Sequence, residues 1–171
     1  MRADLGADPV ETITCLCIGR VGDVIVATPF LRALRRHYPK ARIRLVVGWR
    51  SAQVLPLIAF IDDWAVLQKP QCLGSHLKFA WSLISQSCDL LIDLNPSFSK
   101  TSMLIARASR ARVRVAFDKG RGPSVYDQVL PAPAVTEHMY DRYGRLAAAL
   151  GAPYDPELEL RLPPTDVAEA D

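Results

Sequence analysis

Short apolar runs rich in β-branched residues alternate along the chain with segments in which apolar residues recur at helical spacing. The runs that predict strands lie at residues 12–18, 42–47, 64–67, 88–94, 113–117 and, as a short strand, 125–130. Helical patterns occupy residues 24–38, 51–60, 77–84, 99–108 and 137–150. Strands that alternate with crossover helices predict an α/β fold with a doubly wound, mostly parallel sheet.

The composition changes after Gly151, which is the expected C-cap of the last helix. We therefore expect one domain at residues 12–151 and a linker or tail at 152–171. Residues 155–171 carry a net charge of −5, which leaves +8 on the rest of a chain whose net charge is +3. A mildly basic domain suits an anionic substrate or membrane surface and lacks the concentrated basic stripe of nucleic-acid binding.

The cysteines and the N-terminus favour a cytoplasmic protein. Cys15, Cys17, Cys72 and Cys88 have neither zinc-site nor C-x-x-C spacing, so no metal site is expected and buried thiols are the favoured interpretation. No apolar run approaches the roughly 18 residues of a membrane span. The first ten residues, MRADLGADPV, lack the apolar stretch of a signal peptide.

The turn GRVGDVIVATP follows the first strand, where ligands of doubly wound sheets bind. Gly19 and Gly22 permit a tight turn, and Thr28 as N-cap before Pro29 predicts a second helix start that leaves Asp23 in an irregular turn. Asp23 is then either a helix-capping or first-turn acid, which contributes about 1 kcal/mol to the fold, or a general base at the cleft. The pattern is not G-x-G-x-x-G, so dinucleotide binding is not indicated.

Longer segments carry a family resemblance. GRVGDVIVATPFLRALRRHYPKARIRLVV resembles the beginning of the bacterial heptosyltransferases, glycosyltransferase family 9, which act in lipopolysaccharide synthesis. DLLIDLNPSFSKTSMLIARASRARVRVAF and EHMYDRYGRLAAALGAP are similar to later parts of that family. The similarity runs from about residue 13 to residue 153, although Arg110 and Ala116 stand where the family commonly has glycine.

The resemblance implies a Rossmann-like fold and the N-terminal, acceptor-binding half of a GT-B glycosyltransferase. The implied reaction is inverting: Asp23 is the base that deprotonates a lipopolysaccharide core acceptor for attack on ADP-heptose. No cofactor is expected, and the nucleotide sugar is a substrate held by a C-terminal half that this chain lacks. Little or no turnover is therefore expected from this chain alone.

Candidate acceptor-side residues accompany Asp23: Arg20, Gly22, Asp93, Asn95, Lys100, His138 and Arg142. Arg20 lies near Cys17, where family members often have a basic residue. Asp93 and Asn95 end a central strand and serve either in loop capping or in ligand contact. Lys100 is either solvated or a ligand of an acceptor carboxylate or phosphate. His138, Arg142 and Arg145 share a helical face that is either simply solvated or in contact with the acceptor.

Two further expectations concern partners. One basic cluster is either plain exposed surface or a peripheral contact with the anionic inner membrane, at about 1 kcal/mol per basic residue near the surface; its members are Arg32, Arg35, Arg36, His37, Lys40, Arg42 and Arg44. The alternative function is a non-catalytic, stand-alone domain that binds a sugar, a phosphate ligand or a protein partner. Nucleic acid is not an expected partner.

Overall fold

A computed structural model describes residues 8–68 and 88–161. Within them, parallel strands form one six-stranded sheet in the order β3-β2-β1-β4-β5-β6. In chain order the strands are β1 (Thr12–Cys17), β2 (Arg42–Gly48), β3 (Asp63–Leu67), β4 (Cys88–Asp93), β5 (Ala111–Phe117) and β6 (Gln128–Leu130). This is the strand order of the Rossmann fold, which confirms the predicted Rossmann-like, doubly wound α/β class.

The described helices are α1 (Val21–Val26), α2 (Thr28–His37), α3 (Lys100–Ala108) and α4 (Met139–Leu150). Gly151 ends α4 with a φ of 76°, the left-handed conformation expected of its C-cap. Where a helix was predicted at 51–60, a 3₁₀ helix forms at Trp49–Leu57, with Pro56 near its end. The helix predicted at 77–84 lies outside the described residues.

Helices pack on both faces of the sheet. Phe30 of α2 stacks on Tyr143 of α4, with ring centroids 5.8 Å apart, over one face. Ile105 of α3 packs with Leu16 and Leu91 on the other face. Because successive residues of a strand point to opposite faces, strands covered by helices on both faces are apolar on both sides. Because the strands are parallel, their carboxyl ends lie at one common edge of the sheet.

The predicted break between the first two helices lies at Ala27, but Thr28 does not cap the second helix. Thr28 is already helical, and its hydroxyl donates to the Ile25 carbonyl at 2.7 Å. Ala27 has helical dihedral angles, with φ −78° and ψ −11°, so α1 continues almost directly into α2. Asp23 is therefore the third residue of a helix and does not lie in an irregular turn.

The start of the expected linker contacts the domain. Arg32 of α2, whose side chain is 6% exposed, pairs with Asp155 and Glu159 at 3.2 Å and with Glu157 at 3.8 Å. The Arg161 amide also donates to a carbonyl of the 3₁₀ helix at 2.8 Å. Residues 152–161 thus lie against the domain, because their acids neutralise a buried guanidinium. That residues 152–171 lead to a second domain stays a prediction.

Much of the expected basic surface is paired as well. Arg35 forms an ion pair with Asp62, and Arg44 forms one with Asp63. Asp63 also lies 3.5 Å from Arg42. In the part of the chain that the structure describes, no helix is long and apolar enough to cross a membrane.

Candidate functional site

A cavity of about 940 Å³ opens at the carboxyl edge of the sheet, beyond β1 and β4. From these two neighbouring strands the chain continues to opposite sides of the sheet, which makes their shared end the topological switch point where doubly wound folds bind ligands. The described residues that line the cavity lie at the carboxyl ends of β2 and β3 or in the segments that follow β1, β2, β3 and β4. We call this space the switch-point cavity.

Asp23 lies at the wall of the switch-point cavity. Its Oδ2 accepts a hydrogen bond from the Arg20 backbone amide at 2.7 Å, which is the contact of a first-turn acid at a helix N-terminus. A Cβ atom on Gly19 would lie 2.2 Å from that oxygen, so the approach of carboxylate and backbone needs glycine at this position. No hydrogen-bond donor among the described residues reaches the other oxygen, Oδ1.

Two side chains from other strands contact the turn between β1 and α1. Asn95, which follows β4, accepts a hydrogen bond from the Ile18 amide at 2.8 Å. Ser51, in the 3₁₀ helix that follows β2, donates to the Gly19 carbonyl at 3.0 Å and is fully buried. The turn that presents Asp23 is thus attached on both sides to neighbouring strands.

Asp93 lies behind the cavity wall and is 1% exposed. One of its oxygens accepts from the Tyr126 hydroxyl at 2.6 Å and pairs with the Lys119 ammonium at 2.8 Å. The other accepts from the backbone and side-chain amides of Asn95, at 3.0 and 2.7 Å. These contacts correspond to the loop-capping interpretation of Asp93 and Asn95, although Asn95 also lines the cavity.

An aromatic and basic rim borders the cavity. Trp49 and Arg50 are exposed, and the Arg50 guanidinium carbon lies 4.9 Å from the Trp49 ring centroid. Arg20, also exposed, lines the same cavity. Two guanidinium groups and an indole can bind the anionic groups and the ring face of a sugar-like ligand. The sequence analysis missed Trp49, Arg50 and Ser51, because their position directly after β2 indicates a site only once the strand order is known.

The structure divides the predicted site residues. Arg20, Asp23 and Asn95 line the switch-point cavity. Asp93 is buried behind the cavity wall. The other candidates do not line the cavity: Gly22, Lys100, His138 and Arg142. Lys100 is exposed at the start of α3, between two cavity-lining neighbours.

The two candidates at the start of α4 contact backbone groups of their own region. His138 is the N-cap residue, and its Nδ1 accepts from the Tyr140 amide at 3.3 Å. Arg142 donates to the Ala134 carbonyl at 3.4 Å. Their roles in acceptor binding therefore stay predictions.

The cysteine thiols near the site are weakly reactive. Burial, with the neighbouring charges of Asp23 and Asp93 adding to it, raises the pKa of Cys17 to about 12. Burial likewise raises the pKa of Cys15 and Cys88. Neutral thiols are poor nucleophiles and poor metal ligands. Nowhere in residues 8–68 and 88–161 do three or more His, Cys, Asp or Glu side chains form a group that could hold a metal ion.

No protein-family model and no curated protein sequence matches the chain. Solved structures do match its fold. A family 9 glycosyltransferase from Veillonella parvula has 21% identity and a TM-score of 0.78, over 95% of this chain and 48% of that one. The Escherichia coli heptosyltransferase WaaC, solved with ADP, has 17% identity and a TM-score of 0.73, over 87% and 50%.

A third structure, the E. coli ADP-heptose lipopolysaccharide heptosyltransferase II, has 18% identity and a TM-score of 0.69, over 93% of this chain and 49% of that one. The chain thus spans about half the length of each of these proteins. Their similarity defines its fold as a Rossmann-like unit of the GT-B glycosyltransferase kind. Within that class the likeness is to glycosyltransferase family 9, which confirms the resemblance found in the sequence at the level of fold.

Proposed function

We propose that this chain is the N-terminal, acceptor-binding half of a heptosyltransferase-like inverting glycosyltransferase and that Asp23 is its catalytic base. The observation that carries the proposal is the Asp23 carboxylate at the switch-point cavity, with Oδ2 bonded to the Arg20 amide and Oδ1 facing no donor among the described residues. A carboxylate held in this way can accept the proton of an acceptor hydroxyl.

In the proposed reaction, Asp23 takes the proton from a hydroxyl of the acceptor as that oxygen bonds to the anomeric carbon of the donor sugar. The bond from the anomeric carbon to the diphosphate breaks with inversion, and the diphosphate carries away the electron pair. Arg20 and Arg50, at the rim of the same cavity, would attract anionic groups of the acceptor.

The finer assignments are part of the proposal, and the neighbours support the choice of donor. WaaC has been solved with ADP and with ADP-2-deoxy-2-fluoro heptose, which favours ADP-heptose as the donor of the complete enzyme. The proposed acceptor is the lipopolysaccharide core, and the proposed location is the cytoplasm, with peripheral contact at the inner membrane. Arg36, His37 and Lys40 are exposed and form no ion pair with an acid among the described residues, so they are the members of the basic cluster left for such a contact.

The test is a calorimetric titration of the chain with a lipopolysaccharide inner-core fragment and, separately, with ADP-heptose. The proposal predicts binding of the core fragment and not of ADP-heptose. Binding of ADP-heptose alone would show that the two halves have been assigned wrongly. If neither ligand binds, the proposed function fails, although the fold stands.

Asp23→Asn tests the catalytic role, and Asp141→Asn is a matched control because Asp141 is also the third residue of its helix, α4. When a C-terminal half is supplied, Asp23→Asn should lower kcat by at least about 10²-fold, the range of general base catalysis. Asp141→Asn should leave kcat unchanged. Equal rates in the two variants would contradict the assignment of the base.

A further inference from the structure

We infer that Asn95 and Ser51 are positioning residues that orient the Asp23 carboxylate by fixing the backbone of the β1–α1 turn. The inference rests on the proposed function for the importance of Asp23. Its structural content, that two buried side chains hold this turn, depends only on contacts within the chain.

Ser51 acts on the peptide unit that holds Asp23. The Gly19 carbonyl and the Arg20 N–H belong to one planar peptide, so fixing the direction of one group fixes the direction of the other. The Ser51 hydroxyl donates to the Gly19 carbonyl at 3.0 Å, and the Arg20 N–H donates to Asp23 Oδ2 at 2.7 Å. Since Ser51 is fully buried, water does not compete for its hydroxyl. The serine therefore aims the donor that orients the carboxylate.

Asn95 fixes the preceding part of the turn. Its Oδ1 accepts from the Ile18 amide at 2.8 Å, while its Nδ2 donates to Asp93 Oδ1 at 2.7 Å. An amide in the reverse orientation would face its oxygen towards the Asp93 carboxylate, so Asp93 determines which end of Asn95 meets Ile18. Lys119 and Tyr126 hold the other oxygen of Asp93, and the anchor thus extends from the loop after β5 to the Asp23 turn.

Residue-resolved amide hydrogen exchange of the chain, followed by NMR, tests the inference in Ser51→Ala. The matched control is Ser109→Ala, since Ser109 is also buried and its hydroxyl donates to a backbone carbonyl, that of Ala106, at 2.7 Å. Both variants should lose similar overall stability. Only Ser51→Ala should speed exchange of the Arg20 amide, by about two- to tenfold beyond the change in the slowest amides, as expected for one lost hydrogen bond.

Arg20 exchange that changes equally in the two variants would overturn the inference. The Arg20 amide proton gives a second signature: its resonance should move upfield in Ser51→Ala as its hydrogen bond to the carboxylate weakens, and should stay in place in Ser109→Ala. An unmoved resonance in Ser51→Ala would likewise count against the inference.

In the complete transferase, Ser51→Ala should lower kcat and leave the acceptor KM unchanged. If Arg20 exchange responds while kcat does not, the positioning role stands and the catalytic assignment of Asp23 fails. The two ideas therefore fail in different measurements.

Discussion

Gly19→Ala should move the Asp23 carboxylate while leaving the fold intact. The added methyl group would lie 2.2 Å from Asp23 Oδ2 and 3.2 Å from its Cβ. The atoms in conflict belong to a side chain that can rotate, and the φ of Gly19 is not in the left-handed region, so alanine is compatible with the backbone. Relief therefore comes from the carboxylate, which must retreat by about 1 Å to reach ordinary van der Waals contact.

The expected stability cost is small and the expected functional cost is large. The displaced carboxylate loses its hydrogen bond from the Arg20 amide, at about 1–2 kcal/mol for a partly exposed group. Alanine also lowers the conformational entropy of the unfolded chain, which stabilises the folded state by about 0.4–1 kcal/mol. The free energy of unfolding should therefore fall by about 1 kcal/mol in total. A catalytic group misplaced by about 1 Å can cost about 10²-fold in rate. Transfer should therefore fall far more than stability does.

Gly22→Ala is the matched control from the same turn. A Cβ at Gly22 would meet no atom within 4 Å, and the residue is helical. The substitution should leave Asp23 in place and stabilise the chain by about 0.5–1 kcal/mol. Urea denaturation measures the stabilities, the Arg20 amide resonance reports the carboxylate, and transfer in the complete enzyme reports function. If both alanine variants keep the wild-type resonance and rate, the steric reasoning is wrong.

Other substitutions test the remaining charges. Arg32→Met should lower the free energy of unfolding by about 1–2 kcal/mol and expose residues 152–161 to proteases. The difference in unfolding free energy between variant and wild type should shrink in high salt, because salt screens the ion pairs. A difference that does not depend on salt would contradict the ion-pair explanation. Lys119→Met should cost about 3–5 kcal/mol in urea denaturation because it leaves Asp93 buried without its cation; a neutral result would refute that pairing. Burial alone would raise the pKa of Asp89, but hydrogen bonds from the Glu11 and Thr12 backbone amides and the Thr12 hydroxyl hold it below its usual 3.8. This stabilisation is present above pH 3.8 and is lost as pH falls through the lowered value, so Asp89→Asn should flatten the acid limb of the stability curve.

The fold could be predicted because the spacing of apolar residues along the chain indicates which side chains are buried. The run at 88–94 is apolar on both faces, and the structure finds it as β4 in the middle of the parallel sheet. The last strand is shorter than predicted, Gln128–Leu130, because Pro123 begins a 3₁₀ turn just before it. Element ends depend on such local turns, which apolar spacing does not report.

The candidate site was predictable only in part. The turn after β1 was recognised because the end of a strand beside a crossover is a general ligand position, and Arg20 and Asp23 line the cavity found there. Trp49 and Arg50 reach it from a neighbouring strand, so their relevance depends on strand order, which the sequence pattern leaves undetermined. Arg32 was expected on an exposed surface because its acidic partners are more than 120 residues away in the chain.

The two interpretations of Asp23 are compatible, because they use different oxygens. Oδ2 meets the Arg20 amide, as in a helix-terminal acid, while Oδ1 meets no donor in the described part of the chain. A base is effective only when its free oxygen is held at the position of the proton it accepts. In the proposed reaction, the contact that stabilises the start of α1 would therefore also orient the base. The fold-stabilising contact is therefore compatible with the proposed catalytic role, and Gly19→Ala, which breaks that contact and keeps the carboxylate, tests whether the orientation it gives matters for transfer.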